Sequence, residues 1–122
     1  MTIEKIVRHG VTAAAVTADE KVITDAQSAL DLGMTVKYDA GTKNIVLDKK
    51  LVAEEFFVLS TGLAGEILQK FVNYGVRVAI YGDYSRYTSK PLRDFIYESN
   101  QGKDVFFVET KEEALELLTS RG

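Results

Sequence analysis

Four polar residues that could bind a ligand lie close together in the second half of the chain. Asp83 ends the apolar run at residues 76–83, which is typical of a central strand, and Ser85, Ser89 and Arg93 follow it closely. Open α/β sheets bind ligands at the carboxyl ends of their strands. Asp83 could therefore ligate a cation or accept a hydrogen bond there. The alternative is turn chemistry, in which Asp83 closes an Asx-turn and Ser89 caps a helix.

Two hydroxyl residues, Ser60 and Thr61, form a second candidate site at the start of a predicted helix. The free backbone amides and positive dipole end of a helix favour an anion at this position. The alternative is ordinary N-capping by the same hydroxyls. Gly62 and Gly65 match neither the phosphate-binding loop nor the dinucleotide fingerprint, so the segment predicts no nucleotide cofactor.

A polar stripe on the same helix is a candidate interaction face. Glu66, Gln69, Lys70 and Asn73 recur at helical spacing, opposite an apolar stripe. Glu66 and Lys70 could pair at i, i+4, which stabilises a helix by only about 0.3–0.5 kcal/mol. The face is therefore either solvated or a surface on which another protein, or a second copy of this chain, docks.

Composition excludes several classes of function. The chain has no cysteine and one histidine, His9, so thiol chemistry and His-paired zinc sites have no ligands. The net charge of −3 disfavours nucleic acid as a partner. No metal, cofactor or catalytic constellation is predicted, and His9 is expected in a hairpin turn. No apolar run approaches the ~20 residues that cross a membrane, and the start lacks a signal-type apolar region, which favours a cytoplasmic protein.

The elements that would position these residues alternate between strand and helix. His9-Gly10 separates two extended halves of residues 2–18, as a tight hairpin connection does. A Thr24–Gln27 capping box predicts a first helix that Gly41 ends. The remaining predictions are strands at 44–48, 76–83 and 104–109, and helices at 63–74, 89–100 and from 111 onward.

The helices carry apolar residues at i, i+3, i+4 spacing, which indicates the faces that pack on a sheet. The order β-β-α-β-α-β-α-β-α, with helices between the later strands, requires parallel crossovers. We therefore predict one α/β domain over residues 1–122, with a mixed, mostly parallel sheet and an N-terminal β-hairpin. The residues expected to face inward are Ala26, Ala29, Leu30, Gly33, Met34, Leu63, Ala64, Ile67, Leu68, Phe71, Val72, Ala114, Leu117 and Leu118.

Three segments resemble a small bacterial family, domain of unknown function 4180. They are residues 56–74 (FFVLSTGLAGEILQKFVNY), 79–85 (AIYGDYS) and 89–100 (SKPLRDFIYESN). The element order is also similar to that of STAS-like domains, modules of sulfate transporters and anti-sigma-factor antagonists that act by binding partners. The first resemblance implies a family without a stated activity, and the second implies a regulatory role.

The STAS-like resemblance implies a position for regulation. Those modules often carry a phosphorylatable serine, usually after an aspartate, where a helix begins after a central strand. Ser60 and Thr61 lie at a comparable place, although Leu59 stands where the aspartate is expected. We therefore expect a non-enzymatic regulatory or protein-interaction module. The alternative is a protein, whether enzyme or not, that binds a small molecule or anion at the carboxyl edge around Asp83 and Ser60.

Overall fold

A computed structural model describes residues 1–120 of the chain. The two strands of the hairpin are joined by a tight turn in which His9 has a φ of 53° and Gly10 a φ of 75°, as a type I′ connection requires. In chain order the elements are β1 (Thr2–Arg8), β2 (Val11–Thr17), α1 (Ala26–Ala40), β3 (Asn44–Asp48), α2 (Leu63–Asn73), β4 (Arg77–Tyr81), α3 (Lys90–Gln101), β5 (Val105–Val108) and α4 (Lys111–Thr119).

The five strands form one sheet in the order β1-β2-β3-β4-β5, so each strand lies beside its neighbour in the chain. β1 pairs with β2 antiparallel, and the other three pairings are parallel. In register, Ile45 lies opposite Val78, and Val78 lies opposite Val105. The predicted mixed sheet, and its parallel apolar strands, are confirmed.

The helices are divided unequally between the two faces of the sheet. Alternate strand residues such as Ile45 and Leu47 pack with α1, α2 and α3 in one core, whereas Val46 packs with α4 in the other. A sheet whose strands follow chain order through right-handed crossovers places every crossover helix on the same side. Because both faces are covered, the middle residues of β3 and β4 are apolar at consecutive rather than alternate positions.

Two glycines end helices as the sequence predicts. Gly41 follows α1 with a φ of 69°. Gly75 follows α2 with a φ of 68°; its amide donates to the carbonyl of Val72, and the amide of Val76 donates to that of Phe71 at 2.8 Å. These two bonds make a Schellman motif, which satisfies carbonyls that the helix end would leave open.

The first helix begins one residue later than its predicted capping box. Asp25, not Thr24, is the N-cap: its carboxylate accepts from the amide of Ser28 at 2.7 Å, and the Ser28 hydroxyl accepts from the Asp25 amide at 3.0 Å. A carboxylate is a stronger acceptor than a hydroxyl at the positive end of a helix. The prediction of a Thr24–Gln27 pair was therefore wrong.

Three residues predicted to face inward lie at the edge of their helix stripes and are exposed. Met34 is 39% exposed, Val72 51% and Leu117 36%. The sheet contacts a narrower arc of each helix than the apolar pattern covers. In α4, for example, Leu115 occupies the buried position and Leu117 points outward.

Candidate functional site

A cleft opens at the carboxyl edge of the sheet, between the connection from β3 to α2 and the connection from β4 to α3. Its volume is about 500 Å³, within the range of about 300–1,000 Å³ that is usual for small-molecule sites. Its lining is largely apolar, with a polar rim. The lining residues are Glu54, Phe57, Val58, Leu59, Ser60, Arg86, Tyr87, Thr88, Ser89, Pro91 and Leu92.

One wall of the cleft belongs to the β3–α2 connection, which is fixed to the body of the protein. The chain forms three short 3-10 turns there, Lys49–Leu51, Glu54–Phe57 and Leu59–Thr61. The Lys21 ammonium donates to the carbonyls of Lys50 and Val52 at 3.0 and 3.3 Å. Phe57 is buried and packs edge-on against Phe107 of β5, so the wall is held by the aromatic core.

The facing wall belongs to the β4–α3 connection and depends on two tyrosines. Tyr84 is largely buried and its hydroxyl donates to the carbonyl of Ile80 at 2.8 Å, which returns the loop onto the end of β4. Burial raises the pKa of the Tyr84 phenol, so it is protonated at neutral pH. Tyr87 stacks on Phe57 with ring centroids 5.2 Å apart. The two walls are therefore joined by a stacked aromatic pair.

An ion pair bridges the rim of the cleft. Arg86 Nη2 lies 2.7 Å from Glu54 Oε1, and the Tyr87 hydroxyl donates to the same oxygen at 2.9 Å. The guanidinium of Arg86 and the ammonium of Lys49 both lie over the Tyr87 ring, at 5.2 and 4.9 Å from its centroid. Both charged side chains of the pair are more than half exposed. Solvent therefore reaches the pair, and a ligand can compete for it.

Two of the predicted site residues, Ser60 and Ser89, line opposite walls of this cleft. Both are exposed, and neither hydroxyl makes a hydrogen bond to any residue in the range 1–120. Ser89 is the N-cap of α3 by its backbone alone, so the predicted side-chain cap is absent. The two hydroxyls are therefore available to a ligand.

Neither Ser60 nor Thr61 is the N-cap of α2, which is Gly62, but the Thr61 hydroxyl contacts the first amide of the helix. The same hydroxyl donates to the carbonyls of Glu55 and Val58, at 3.0 and 2.8 Å, and accepts from the amide of Leu63 at 3.2 Å. Gly62, with a φ of 78°, supplies the left-handed turn between the last 3-10 turn and α2. Thr61 thus joins the wall to the helix and does not line the cleft.

Asp83 and Ser85 form the Asx-turn that was the alternative interpretation. The amide of Ser85 donates to Asp83 Oδ1 at 2.8 Å. The Ser85 hydroxyl and amide, with the charges of Lys49 and Arg86, hold the pKa of the Asp83 carboxyl below its usual value. Asp83, Ser85 and Arg93 are exposed and lie outside the cleft lining. Their part in ligand binding stays a prediction.

The predicted interaction face on α2 is a surface of the molecule. Glu66, Gln69 and Asn73 are exposed and Lys70 is half-buried. The side chain of Gln69 donates to that of Asn73 at 2.8 Å. Glu66 and Lys70 make no ion pair with each other or with another residue of the described range. One hydrogen bond between amide side chains, and no ion pair, therefore joins residues of this stripe.

Glu54, Arg86 and Tyr87 are the site residues that the sequence reasoning missed. Glu54 and Arg86 are 32 residues apart, and neither belongs to a recognisable motif. The available signal was topological: each follows one of two consecutive parallel strands, whose carboxyl ends meet at the same edge. Opposite charges at matched places in the two connections could have suggested the pair.

The side chains that line the cleft carry hydroxyl, carboxylate, guanidinium and aromatic groups. Nowhere in residues 1–120 do three or more histidine, cysteine or acidic side chains gather as metal ligands. Within the same range, no helix has the length and apolar character needed to cross a membrane. The carboxylate at the cleft is paired with Arg86, and no base is hydrogen-bonded to the hydroxyls of Ser60 or Ser89. The arrangement can hold a ligand by apolar contact and by charged hydrogen bonds.

Comparison with known proteins gives one finding. A family model described as Domain of unknown function (DUF4180) matches residues 8–118, which include every strand and helix in full except β1, of which only Arg8 is matched, and α4, which extends one residue beyond the match. No curated protein and no solved structure matches the chain. The family description states no activity, so the function has to be argued from the cleft.

Proposed function

The chain belongs to the DUF4180 family, and we propose that it is a non-enzymatic binding module that takes up a small molecule in the cleft at the carboxyl edge of its sheet. The observation that carries this proposal is the cleft itself, about 500 Å³ between two fixed connections. Phe57 and Leu92 supply buried apolar walls, while the Arg86–Glu54 pair supplies polar groups at the rim. This combination is typical of small-ligand sites.

The same geometry favours binding over catalysis. A nucleophilic serine needs a base within hydrogen-bond reach and a third group that orients that base. The Ser60 and Ser89 hydroxyls have no such neighbour in residues 1–120, since the carboxylate at the rim, Glu54, contacts Arg86 and Tyr87 rather than either hydroxyl. We therefore assign the rim groups to recognition.

The test uses pools of common metabolites sorted by chemical class: amino acids, carboxylic acids, sugars, nucleosides and nucleotides. Each pool is added to ¹⁵N-labelled protein, and amide shifts are followed by NMR. We expect one pool to shift the amides of Ser60, Tyr87 and Ser89. Ser60→Trp, which fills the cleft, should abolish those shifts, whereas Thr24→Trp on the exposed surface before α1 should not. If no pool moves these amides, the proposal is wrong.

A second candidate function is a docking module for a partner protein or a second copy of this chain, the regulatory role that the STAS-like element order implies. It is supported by the α2 surface, where Val72 is 51% exposed beside the polar stripe of Gln69 and Asn73. A mixed polar and apolar helix surface of this kind suits a protein interface.

Lys70→Glu tests that candidate for self-association. On a solvated face the change places like charges at i, i+4 with Glu66 and costs only a few tenths of a kcal/mol. Within an interface it would bury the repulsion and cost about 2–5 kcal/mol. Sedimentation velocity distinguishes the two. We expect a wild-type dimer to become a monomer, and an unchanged sedimentation coefficient would exclude this face as a homodimer interface.

A further inference from the structure

Both side chains of the ion pair at the cleft rim have hydrogen-bonding groups that the pair does not use. Arg86 Nη2 and Glu54 Oε1 make the contact, and Tyr87 adds its bond to the same oxygen. Among residues 1–120, Glu54 Oε2 and the Nε and Nη1 groups of Arg86 make no hydrogen bond. A guanidinium has five donors and a carboxylate about four acceptor sites. An acceptor and a donor of the ligand can therefore join the pair without breaking it.

The charge balance of the cleft limits the ligand. Of the described residues that line it, Glu54 and Arg86 are the two that carry charge, and they cancel. Among the lining residues, a polyanion such as a nucleotide would meet one cation that is already paired and one repelling carboxylate, with the Lys49 ammonium also over the Tyr87 ring. A molecule with no net charge but with both a positive and a negative group matches the two free ends of the pair.

The short distance between the paired nitrogen and oxygen further restricts which ligands can bind both side chains. The nitrogen and oxygen in contact are 2.7 Å apart, so the unused donor and acceptor groups lie side by side. Opposite charges on the ligand must then be close neighbours, as an ammonium and a carboxylate are on one carbon atom. The walls beside the pair are apolar, with Phe57 and Leu92 buried and Leu59 half-buried.

From these observations we infer that the cleft binds an α-amino acid with an apolar side chain. This inference rests on the proposed function and names its ligand class. The ligand carboxylate accepts from the unused N–H groups of Arg86, and its ammonium donates to Glu54 Oε2. Its side chain lies against Phe57 and Leu92. The exposed hydroxyls of Ser60 and Ser89 face the same space.

The ligand series that tests the inference requires no variant. L-phenylalanine is titrated into ¹⁵N-labelled protein beside 3-phenylpropanoate, which lacks the ammonium, 2-phenylethylamine, which lacks the carboxylate, and glycine, which lacks the side chain. We expect phenylalanine to shift the amides of Ser60, Tyr87 and Ser89, with each analogue at least about tenfold weaker because a charged hydrogen bond or the apolar contact is lost. Equal binding of 3-phenylpropanoate or 2-phenylethylamine would overturn the inference.

Matched variants test the two recognition groups. Arg86→Gln and Glu54→Gln should each weaken phenylalanine at least about tenfold. Arg8→Gln and Glu112→Gln break a second surface Arg–Glu pair, at 2.7 Å between β1 and α4, and should leave binding unchanged. Equal weakening by both sets of variants would contradict the assignment.

The failure of this inference is distinguishable from failure of the proposed function. If apolar amino acids leave the cleft amides unmoved while another metabolite pool shifts them, the cleft binds small molecules and the ligand class assigned here is wrong. If no pool shifts them, both the inference and the proposed function are overturned.

Discussion

At the end of β4, Gly82 passes so close to Lys49 that the two residues determine each other's position. A Cβ atom on Gly82 would lie 2.8 Å from the Cβ of Lys49 and 3.3 Å from its Cδ. The first of these atoms is fixed by the backbone, so no change of side-chain rotamer relieves the overlap. Because the Lys49 ammonium lies over Tyr87, this contact links the sheet edge to the cleft wall.

Gly82→Ala should therefore destabilise the protein by about 1–3 kcal/mol, as overpacking does. Gly65 provides the matched control, because nothing lies within 4 Å of a Cβ at that position in the first turn of α2. Gly65→Ala should stabilise by about 0.4–1 kcal/mol through the unfolded chain. Urea unfolding measures both changes. A Gly82→Ala protein as stable as the wild type would contradict the close contact.

Residue types alone could identify part of the candidate site. Ser60 and Ser89 were predicted and do line the cleft, because each stands where a helix begins after a parallel strand. Asp83 was predicted from the same rule, but its carboxylate bonds its own loop. Glu54 and Arg86 belong to no local motif, since their pairing depends on how two connections fold against Phe57 and Tyr87. A local pattern carries no information about such a contact.

At the scale of elements, α2 shows what a helical pattern can and cannot predict. Its position, its glycine terminator and its buried core residues Ala64, Ile67 and Phe71 follow from spacing alone. Spacing does not predict where the buried face of α2 ends, because that depends on how much of the helix the neighbouring elements cover. Val72 completes the apolar stripe in the sequence but is 51% exposed.

Substitutions at a buried and at an exposed position of α2 should change the free energy of unfolding by very different amounts. Phe71 is 1% exposed, so Phe71→Ala leaves a cavity and should cost about 3–5 kcal/mol. Val72→Ala, on the adjoining exposed position, should change stability by no more than about 0.5 kcal/mol. Urea denaturation of the two variants beside the wild type decides this. Similar losses for both would mean that α2 is rotated from the orientation described.

At the scale of the whole molecule, the sequential strand order explains where the cleft forms. The strand order does not reverse within the sheet, so there is no crevice of the kind that forms where crossovers diverge to opposite faces. Instead α2 and α3 lie on the same face. The connections that lead into them therefore run side by side, and the cleft lies between those two connections.

The same topology leaves the second face of the sheet to one helix, α4. Ala13, Val46, Ala79 and Phe106 are each at most 5% exposed and pack against Ala114, Leu115 and Leu118. A chain that ends at Glu109 should expose these strand residues as one contiguous apolar surface, which monomeric proteins rarely carry. We expect this shortened chain to lose its cooperative urea transition and to bind a hydrophobic dye such as ANS, as states without fixed packing do. If the shortened chain unfolds cooperatively at the urea midpoint of the full chain without binding dye, the first face alone supports the fold and α4 contributes little to stability.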